Sequence, residues 1–198
     1  MVKDDILSRF KNYICGYYPV SDEAFNLIAD ISELIEVEKN QVLLPMGEVS
    51  DHIYYIYRGT LIAYFTDADG NTYNKNIFME HQLAASTVSS LLKVPSEFTL
   101  QALERTTLLK VNFQQYKQLI SQNAELQEFY IAYLEKNWVI DKEQREISLV
   151  MEDAGIRYQN LIEQYPDIHL HVPLQHIASN LGITPTQLSR IRKKLKSI

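Results

Sequence analysis

A chain of 198 residues, of which 46% are hydrophobic and 22% charged, is long enough for one sizeable core or two small ones. No apolar run approaches the roughly 18 residues that span a bilayer, and the charged start MVKDDILSRF excludes a secretion signal, so we expect a cytoplasmic protein without a membrane partner. The single cysteine, Cys15, excludes an internal disulfide and an iron–sulfur cluster, which needs about four thiolates.

The first half of the chain predicts a helix followed by many short strands. A helix is expected over 21–31, because Ser21 can cap it and two acidic residues occupy its first turn. Runs of β-branched and aromatic residues then alternate with turn signals, of which Asp69-Gly70-Asn71 is a strong hairpin mark. These runs are QVLL, HIYYIY, TLIAYF, YNKNIF, FTLQAL and TTLLKV. They predict a β-barrel, interrupted by a short helix at AASTVSSLL.

A long helix is expected after the strands, because ELQEFYIAYLEKNWVIDKEQREISLVM contains neither proline nor glycine. Along this helix, the residues of one face recur at alternating spacings of four and three, which is the pattern of a heptad seam. A polar residue near the middle of such a seam fixes the register of two-stranded coils. We therefore predict a homodimer, although packing inside one subunit is the alternative. The predicted interface residues are Leu126, Tyr130, Tyr133, Asn137, Ile140, Gln144 and Ile147, and the seam continues to Met151.

The segment from Pro173 to Ile198 predicts two short helices joined by a tight turn. In PLQHIASNL the apolar residues recur at helical spacing, and Gly182 stands where a left-handed residue ends a helix. Thr184 and Gln187 then form a capping box around Pro185, so that a second helix starts at once. Together with the small Ala178 between the helices, this pattern predicts a helix-turn-helix unit.

The charge of the chain is unevenly distributed, which points to double-stranded DNA as a partner. The net charge is −6, yet the segment from Pro173 to Ile198 contains five basic residues and no acidic one. On the second helix, Arg190 is the candidate for a guanine contact and Gln187 for an adenine contact, while the lysines suit phosphates. The predicted DNA-binding residues are Thr184, Thr186, Gln187, Ser189, Arg190, Lys193 and Lys194, with Arg192 and Lys196 as further phosphate contacts.

The order of these parts resembles the Crp/Fnr family of transcription regulators. The resemblance rests on PMGEVSDHIYYIYRGTLIAYFTDADG in the strand region and on HIASNLGITPTQLSRIRKKL, which is similar to regulators of the Bacteroidetes type. It implies an α+β fold with three parts: a cyclic-nucleotide-binding-like β-roll over 1–123, a dimerisation helix over 124–150 and a helix-turn-helix domain over 151–198. It further implies a homodimer on an inverted-repeat operator, with RNA polymerase as a further partner.

The chain departs from that family at the effector pocket. Members that bind a cyclic nucleotide carry Gly-Glu and Arg-Ser or Arg-Thr pairs, which correspond here to LAAST and VPSEF. Ser86 takes the place of the glutamate and Pro95 that of the arginine, so the charge-assisted bond to the phosphate is missing. We therefore expect that the pocket does not bind cyclic AMP. The candidate pocket residues that remain are Ser86, Thr87 and Ser96.

Two classes of function stay open at this point. We expect neither an enzyme nor a metal protein, because no phosphate loop or nucleophile elbow occurs and the histidines of HLHVPLQH lack a recognised ligand spacing. The first reading is a DNA-binding regulator whose effector is unknown. The second is a ligand-sensing or protein-interaction module whose terminal helices bind a protein partner.

Overall fold

The computed structural model of the chain describes residues 2–70 and 72–195. Asn71 of the predicted turn and the predicted phosphate contact Lys196 lie outside the described residues. The helices are α1 (Val2–Cys15), α2 (Asp22–Asp30), α3 (Thr87–Leu92), α4 (Phe113–Gln122), α5 (Ala124–Leu134), α6 (Asp141–Met151), α7 (Ala154–Gln164), α8 (Ile168–His171), α9 (Leu174–Asn180) and α10 (Pro185–Leu195), with a π-helical turn (Glu135–Ile140) between α5 and α6. The strands are β1 (Ser32–Val37), β2 (Val42–Leu44), β3 (His52–Arg58), β4 (Leu61–Thr66), β5 (Thr72–Phe78), β6 (Leu83–Ala84), β7 (Thr99–Ala102) and β8 (Thr106–Asn112).

The strands pack as two four-stranded antiparallel sheets, which confirms the β prediction for all six runs. One sheet has the order β1-β8-β3-β6 and the other the order β2-β7-β4-β5. Their shared core includes the fully buried Ile56 and Leu108 from the first sheet and Leu61 and Leu100 from the second. Alternating side chains of the two inner faces thus meet and exclude water, as expected for a β-sandwich or roll. The strands β1 and β6 were not predicted.

The N-terminal helices attach to the roll through aromatic side chains. Phe10 of α1 lies 4.5 Å from Tyr55 of β3 and 6.0 Å from Phe25 of α2, measured between ring centres. The hydroxyl of Ser21 accepts a hydrogen bond from the amide of Ala24 at 3.1 Å, which confirms it as the cap of α2. The same core receives Phe129 of the long helix, so α1, α2 and α5 form one body with the first sheet.

The long helix runs without a break from Ala124 to Met151, as predicted, but contains a π-helical turn near its middle. Such a turn holds about one residue more than an α-helical turn and so rotates the residues after it by roughly 100° relative to those before it. The stripe before the turn and the stripe after it therefore face different surroundings. None of the described helices is long and apolar enough to cross a membrane.

Candidate functional site

Helices α9 and α10 meet at a tight left-handed turn. Gly182 has φ 71°, and the amide of Ile183 donates to the carbonyl of Ala178 at 3.0 Å. The amide of Thr184 donates to Oε1 of Gln187 at 2.8 Å, and the amide of Gln187 donates to the hydroxyl of Thr184 at 3.2 Å. The predicted glycine turn and capping box are therefore present, and they explain why α10 starts within a few residues of the end of α9.

The helix pair buries one face and exposes the other. Ile177, Ala178 and Leu188 are fully buried against Tyr158 of α7 and Ile168 of α8. The exposed side chains include all seven of the predicted DNA-binding residues, namely Thr184, Thr186, Gln187, Ser189, Arg190, Lys193 and Lys194. The chemistry of this face is polar and cationic, because no acidic residue occurs from Pro173 onward.

Two side chains of this face differ in their freedom to contact a ligand. Arg190 forms no hydrogen bond or ion pair with another described residue, so its five N–H donors are available. The carbonyl oxygen of Gln187 already accepts from the backbone and hydroxyl of Thr184. While this cap is closed, only the amide nitrogen of Gln187 is left for a base, and the bidentate adenine contact expected from the sequence requires the cap to open.

The C-terminal helices rest on the second sheet of the roll through a polar contact with β5. The amide of Asn74 donates to the hydroxyl of Ser179 at 2.8 Å, and its side-chain nitrogen donates to the carbonyl of His176 at 3.0 Å. Farther along the surface, Nε2 of Gln82 donates to the hydroxyl of Tyr165 at 2.7 Å. The outer face of α10 stays exposed in this docked arrangement.

Each of the three histidines near this contact has a different partner. His169 bonds the hydroxyl of Tyr158 at 2.7 Å, Nδ1 of His171 lies 3.0 Å from a carboxylate oxygen of Glu104, and Nδ1 of His176 lies 3.2 Å from the side-chain oxygen of Asn74. Among the described residues, no three His, Cys, Asp or Glu side chains converge as a metal site. The histidines serve packing and docking instead.

Docking of the C-terminal helices on the roll should weaken as the pH falls, because burial lowers the pKa of His176 below its ordinary 6.5. Below about pH 6.5 the undocked form binds more protons than the docked form, and linkage then favours undocking. We expect the amide of Asn74 to lose protection from hydrogen exchange between pH 7.5 and 5.5, after correction for intrinsic rates.

The variant His176→Gln is the control for this prediction. Its side chain carries no titrating group, so the loss of Asn74 protection at low pH should be smaller than in the wild type. An identical pH profile in both proteins would contradict the assignment to His176.

Two of the three predicted effector-pocket residues are shut off from solvent in the structure. Ser86 and Ser96 are buried, and the hydroxyl of Ser96 lies 3.0 Å from that of Ser86 and donates to the carbonyl of Phe98 at 2.8 Å. Pro95 bridges to Val49 of a neighbouring segment. Thr87 alone of the three candidate residues lines open space. The two serines therefore satisfy each other and their own backbone and offer little to an anion.

The predicted dimer residues divide at the π-helical turn. Leu126 is fully buried in its own subunit, Tyr130 and Tyr133 pack on the same core, and Asn137 exchanges hydrogen bonds with Tyr17 of α1. These four contact their own chain, as the alternative reading of the seam expects. At the end of the turn and after it, apolar side chains lie exposed, namely Val139, Ile140, Ile147, Val150 and Met151, and Gln144 is exposed beside them.

The sequence offered no signal for the residues that dock the helices on the roll. Asn74 reads as an ordinary strand residue, and its partners Ser179 and His176 lie more than a hundred positions away. Its strand neighbours Tyr73 and Lys75 are exposed, so no local pattern marks Asn74 as a docking residue.

Comparison with known proteins finds a family that the roll resembles. Residues 34–123 match the family described as Cyclic nucleotide-binding domain. No curated protein matches the sequence. Similar solved structures include FixK2 from Bradyrhizobium japonicum, with 15% identity over 84% of this chain and 85% of that one and a TM-score of 0.69. The regulator CLP of Xanthomonas campestris shares 15% identity over 89% and 92% of the two chains, with a TM-score of 0.63.

A third structure extends the same likeness. The catabolite activator protein of Thermus thermophilus shares 15% identity over 91% of this chain and 86% of that one, with a TM-score of 0.54. At sequence identities this low, the likeness shows a shared fold and nothing further. The Bacteroidetes type expected from the helix-turn-helix motif stays a prediction. Residues 34–123 thus match the Cyclic nucleotide-binding domain family, and the chain has an α+β fold similar to those of FixK2 and CLP.

Proposed function

We propose that the chain is a sequence-specific, dimeric DNA-binding transcription regulator of the Crp/Fnr type. The observation that carries this proposal is the outer face of α10, which is polar, cationic and exposed even while α9 is docked on the roll. A short helix that follows a tight turn and presents such a face suits the major groove. The fold shared with FixK2 and CLP supports the same conclusion.

The polar and basic residues at the start of α10 and along its outer face have defined parts in the proposal. Arg190 reads guanine through two donors of its guanidinium, and Thr186 and Ser189 lie beside it at the base edges. Lys193 and Lys194, together with Arg192, contact phosphates and contribute affinity that falls with salt. Thr184 and Gln187 fix the start of the helix.

The proposed dimer uses the exposed apolar side chains at the end of the π-helical turn and after it. Val150 and Met151 are 82% and 78% exposed, values unusual for large apolar residues, and Val139 and Ile147 continue the stripe. Pairing two such helices buries the stripe and presents two copies of α10. An inverted repeat with half-sites one helical turn apart, about 34 Å, is then the expected operator.

The proposal includes the cellular setting and the effector. A regulator of this kind works in the cytoplasm at promoters and so meets RNA polymerase. Cyclic AMP is not its effector in this proposal, because Pro95 replaces the phosphate-binding arginine and Ser86 and Ser96 bond each other. The protein is not an enzyme, and it needs neither an iron–sulfur cluster nor another metal.

The test is selection from random double-stranded DNA at about 0.15 M salt, with and without cyclic AMP. We expect one inverted repeat to be enriched equally in both conditions. Arg190→Ala should reduce the free-energy difference between the preferred base and the other bases, at one position of each half-site, by about 1–3 kcal/mol. Lys39→Ala, which removes an exposed charge from the roll, should change nothing.

The competing function, a protein-interaction module, predicts other outcomes. Its terminal helices would enrich no DNA sequence, and any weak DNA binding would be the same for Arg190→Ala and the wild type. A gel-filtration mass of one chain at micromolar concentration would separately contradict the dimer.

A further inference from the structure

The start of α10 is closed by a reciprocal cap between Thr184 and Gln187. The amide of Thr184 donates to Oε1 of Gln187 at 2.8 Å, and the hydroxyl of Thr184 donates to the same oxygen at 3.1 Å. The hydroxyl in turn accepts from the amide of Gln187 at 3.2 Å. These three bonds hold both side chains in one arrangement, although both are exposed.

The orientation of the Gln187 side-chain amide is determined by this cap. A backbone N–H group can only donate, so the atom that faces the amide of Thr184 must be the carbonyl oxygen. Exchanging the two ends of the side-chain amide would place one N–H group against another. The nitrogen Nε2 lies on the other branch of the amide and forms no hydrogen bond with another described residue.

The cap leaves the Gln187 side chain with free donors but without a free acceptor. A carbonyl oxygen has two lone pairs, and the amide and the hydroxyl of Thr184 occupy both of them. The NH2 group carries two N–H donors, and both are unused. A free glutamine offers one donor and one acceptor side by side, whereas the capped Gln187 offers N–H groups alone.

This difference decides which base edge Gln187 matches in the major groove. Adenine presents the acceptor N7 beside an N6–H donor, and a glutamine pairs with both only when its own oxygen is free. Guanine presents two acceptors, N7 and O6, which suit two N–H donors. The capped side chain therefore matches guanine, and it leaves the N6–H group of adenine unpaired.

Gln187 lies on the part of α10 where a base contact is expected. Its neighbour Leu188 is fully buried in the helical core, so the side chain of Gln187 lies on the outer face. The first turn of a recognition helix is the part nearest to the bases. Arg190 follows three positions later, and residues three apart are neighbours on a helix surface. Gln187 and Arg190 thus form a pair of adjacent side chains that both present only donors.

A contact with adenine requires the cap to open first. The loss of a capping side chain typically lowers the population of a helix start by roughly fivefold. This penalty falls on adenine alone, because guanine is read with the cap closed. Both the missing acceptor and the penalty for opening therefore favour guanine.

We propose that Thr184 sets the base specificity of Gln187 by occupying its side-chain oxygen, so that Gln187 reads guanine and not adenine. Thr184 acts here as a positioning residue, since it affects the base through Gln187. The inference rests on the proposed function, because it concerns a base contact of α10. It differs from the adenine contact expected from the sequence, which assumes a free side-chain oxygen.

Selection from random double-stranded DNA with the full chain and its variants tests this inference. Gln187→Met removes the donors and the oxygen, so the half-site position at which the base preference disappears is the position that Gln187 reads. At that position, we expect the wild type to prefer guanine over adenine about fivefold or more. Thr184→Val keeps the backbone bond to Oε1 but frees one lone pair, so the ratio of guanine to adenine should fall about fivefold or more.

Two further variants separate base selection from a merely structural role of the cap. A weaker helix start would lower the affinity for all sequences without exchanging guanine for adenine. Thr184→Ser keeps the hydroxyl and should retain the wild-type preference. Thr66→Val, at an exposed threonine of the roll, is the matched control and should change no base preference. A preference for adenine in the wild type, or an unchanged ratio in Thr184→Val, would overturn the inference.

Hydrogen exchange without DNA distinguishes this inference from the proposed function. The amide of Thr184 should be protected in the wild type and in Thr184→Ser, and it should lose protection in Gln187→Met. If that amide is protected but no repeat is enriched, the regulator proposal fails, and the base contact fails with it. If a repeat is enriched but Gln187→Met changes no position of it, only the assignment of a base to Gln187 fails.

Discussion

Replacing Gly59 with alanine should destabilise the roll by about 2–6 kcal/mol, the sum of backbone strain and overpacking. Gly59 has φ 101°, in a region that side-chain-bearing residues rarely adopt. An added Cβ would lie 2.4 Å from Oγ1 of Thr106 and 2.9 Å from its Cα. Thr106 is fully buried at the start of β8, so its backbone cannot move away without disturbing the first sheet.

Gly70→Ala is the matched control for that result. Gly70 also has a positive φ, of 85°, but no atom lies within 4 Å of the position that its Cβ would occupy. Only the conformational strain remains, which costs roughly 1–2 kcal/mol. Urea unfolding followed by circular dichroism gives both values. Equal losses for the two variants would show that contact with Thr106 contributes nothing.

The local features of the fold were predictable from sequence because each depends on a few neighbouring residues. Ser21 caps α2, Gly182 ends α9, and Thr184 with Gln187 starts α10, all as the sequence indicates. Each of these interactions spans at most five positions. Residue chemistry at such short range is enough to determine the backbone.

Strand β1 was missed because its sequence hides its burial pattern. Glu33 and Glu36 interrupt SELIEV, which therefore lacks the alternation of a half-buried strand. The structure pairs Glu33 with Lys110 across the sheet and Glu36 with Arg105. Partners some 70 positions away make the charges acceptable at this sheet edge, and a local pattern cannot include them.

The heptad seam illustrates a different limit. Periodicity reports that one helix face is apolar, but it does not report what covers that face. Leu126 and Tyr130 lie against their own subunit, whereas Val150 is exposed, because the π-helical turn separates the two halves of the stripe. The hydrogen bond from Arg145 to the backbone carbonyl of Lys75 was missed for a related reason, since the two residues lie 70 positions apart in the sequence.

Removing two charges from α10 should produce the largest effect on DNA affinity. In the proposed dimer, Lys193→Gln with Lys194→Gln removes up to four phosphate contacts, since each protomer loses two. Each contact contributes about 0.9 to the slope of log K against log salt, so the slope should fall by about 3–4. At 1 M salt, where electrostatic attraction is screened, the variant and the wild type should bind DNA equally. Extrapolated from there, the variant's loss of DNA affinity at 0.1 M salt is roughly three orders of magnitude.

A variant with the same net charge separates contact from long-range attraction. Lys39→Gln with Arg58→Gln removes two exposed charges from the roll, and its slope should match that of the wild type. Both double variants should keep their stability within about 0.5 kcal/mol, because all four side chains are exposed. Fluorescence anisotropy on the selected repeat at several salt concentrations measures the slopes. If both variants lower the slope equally, net charge alone attracts the DNA, and α10 has no special part in binding it.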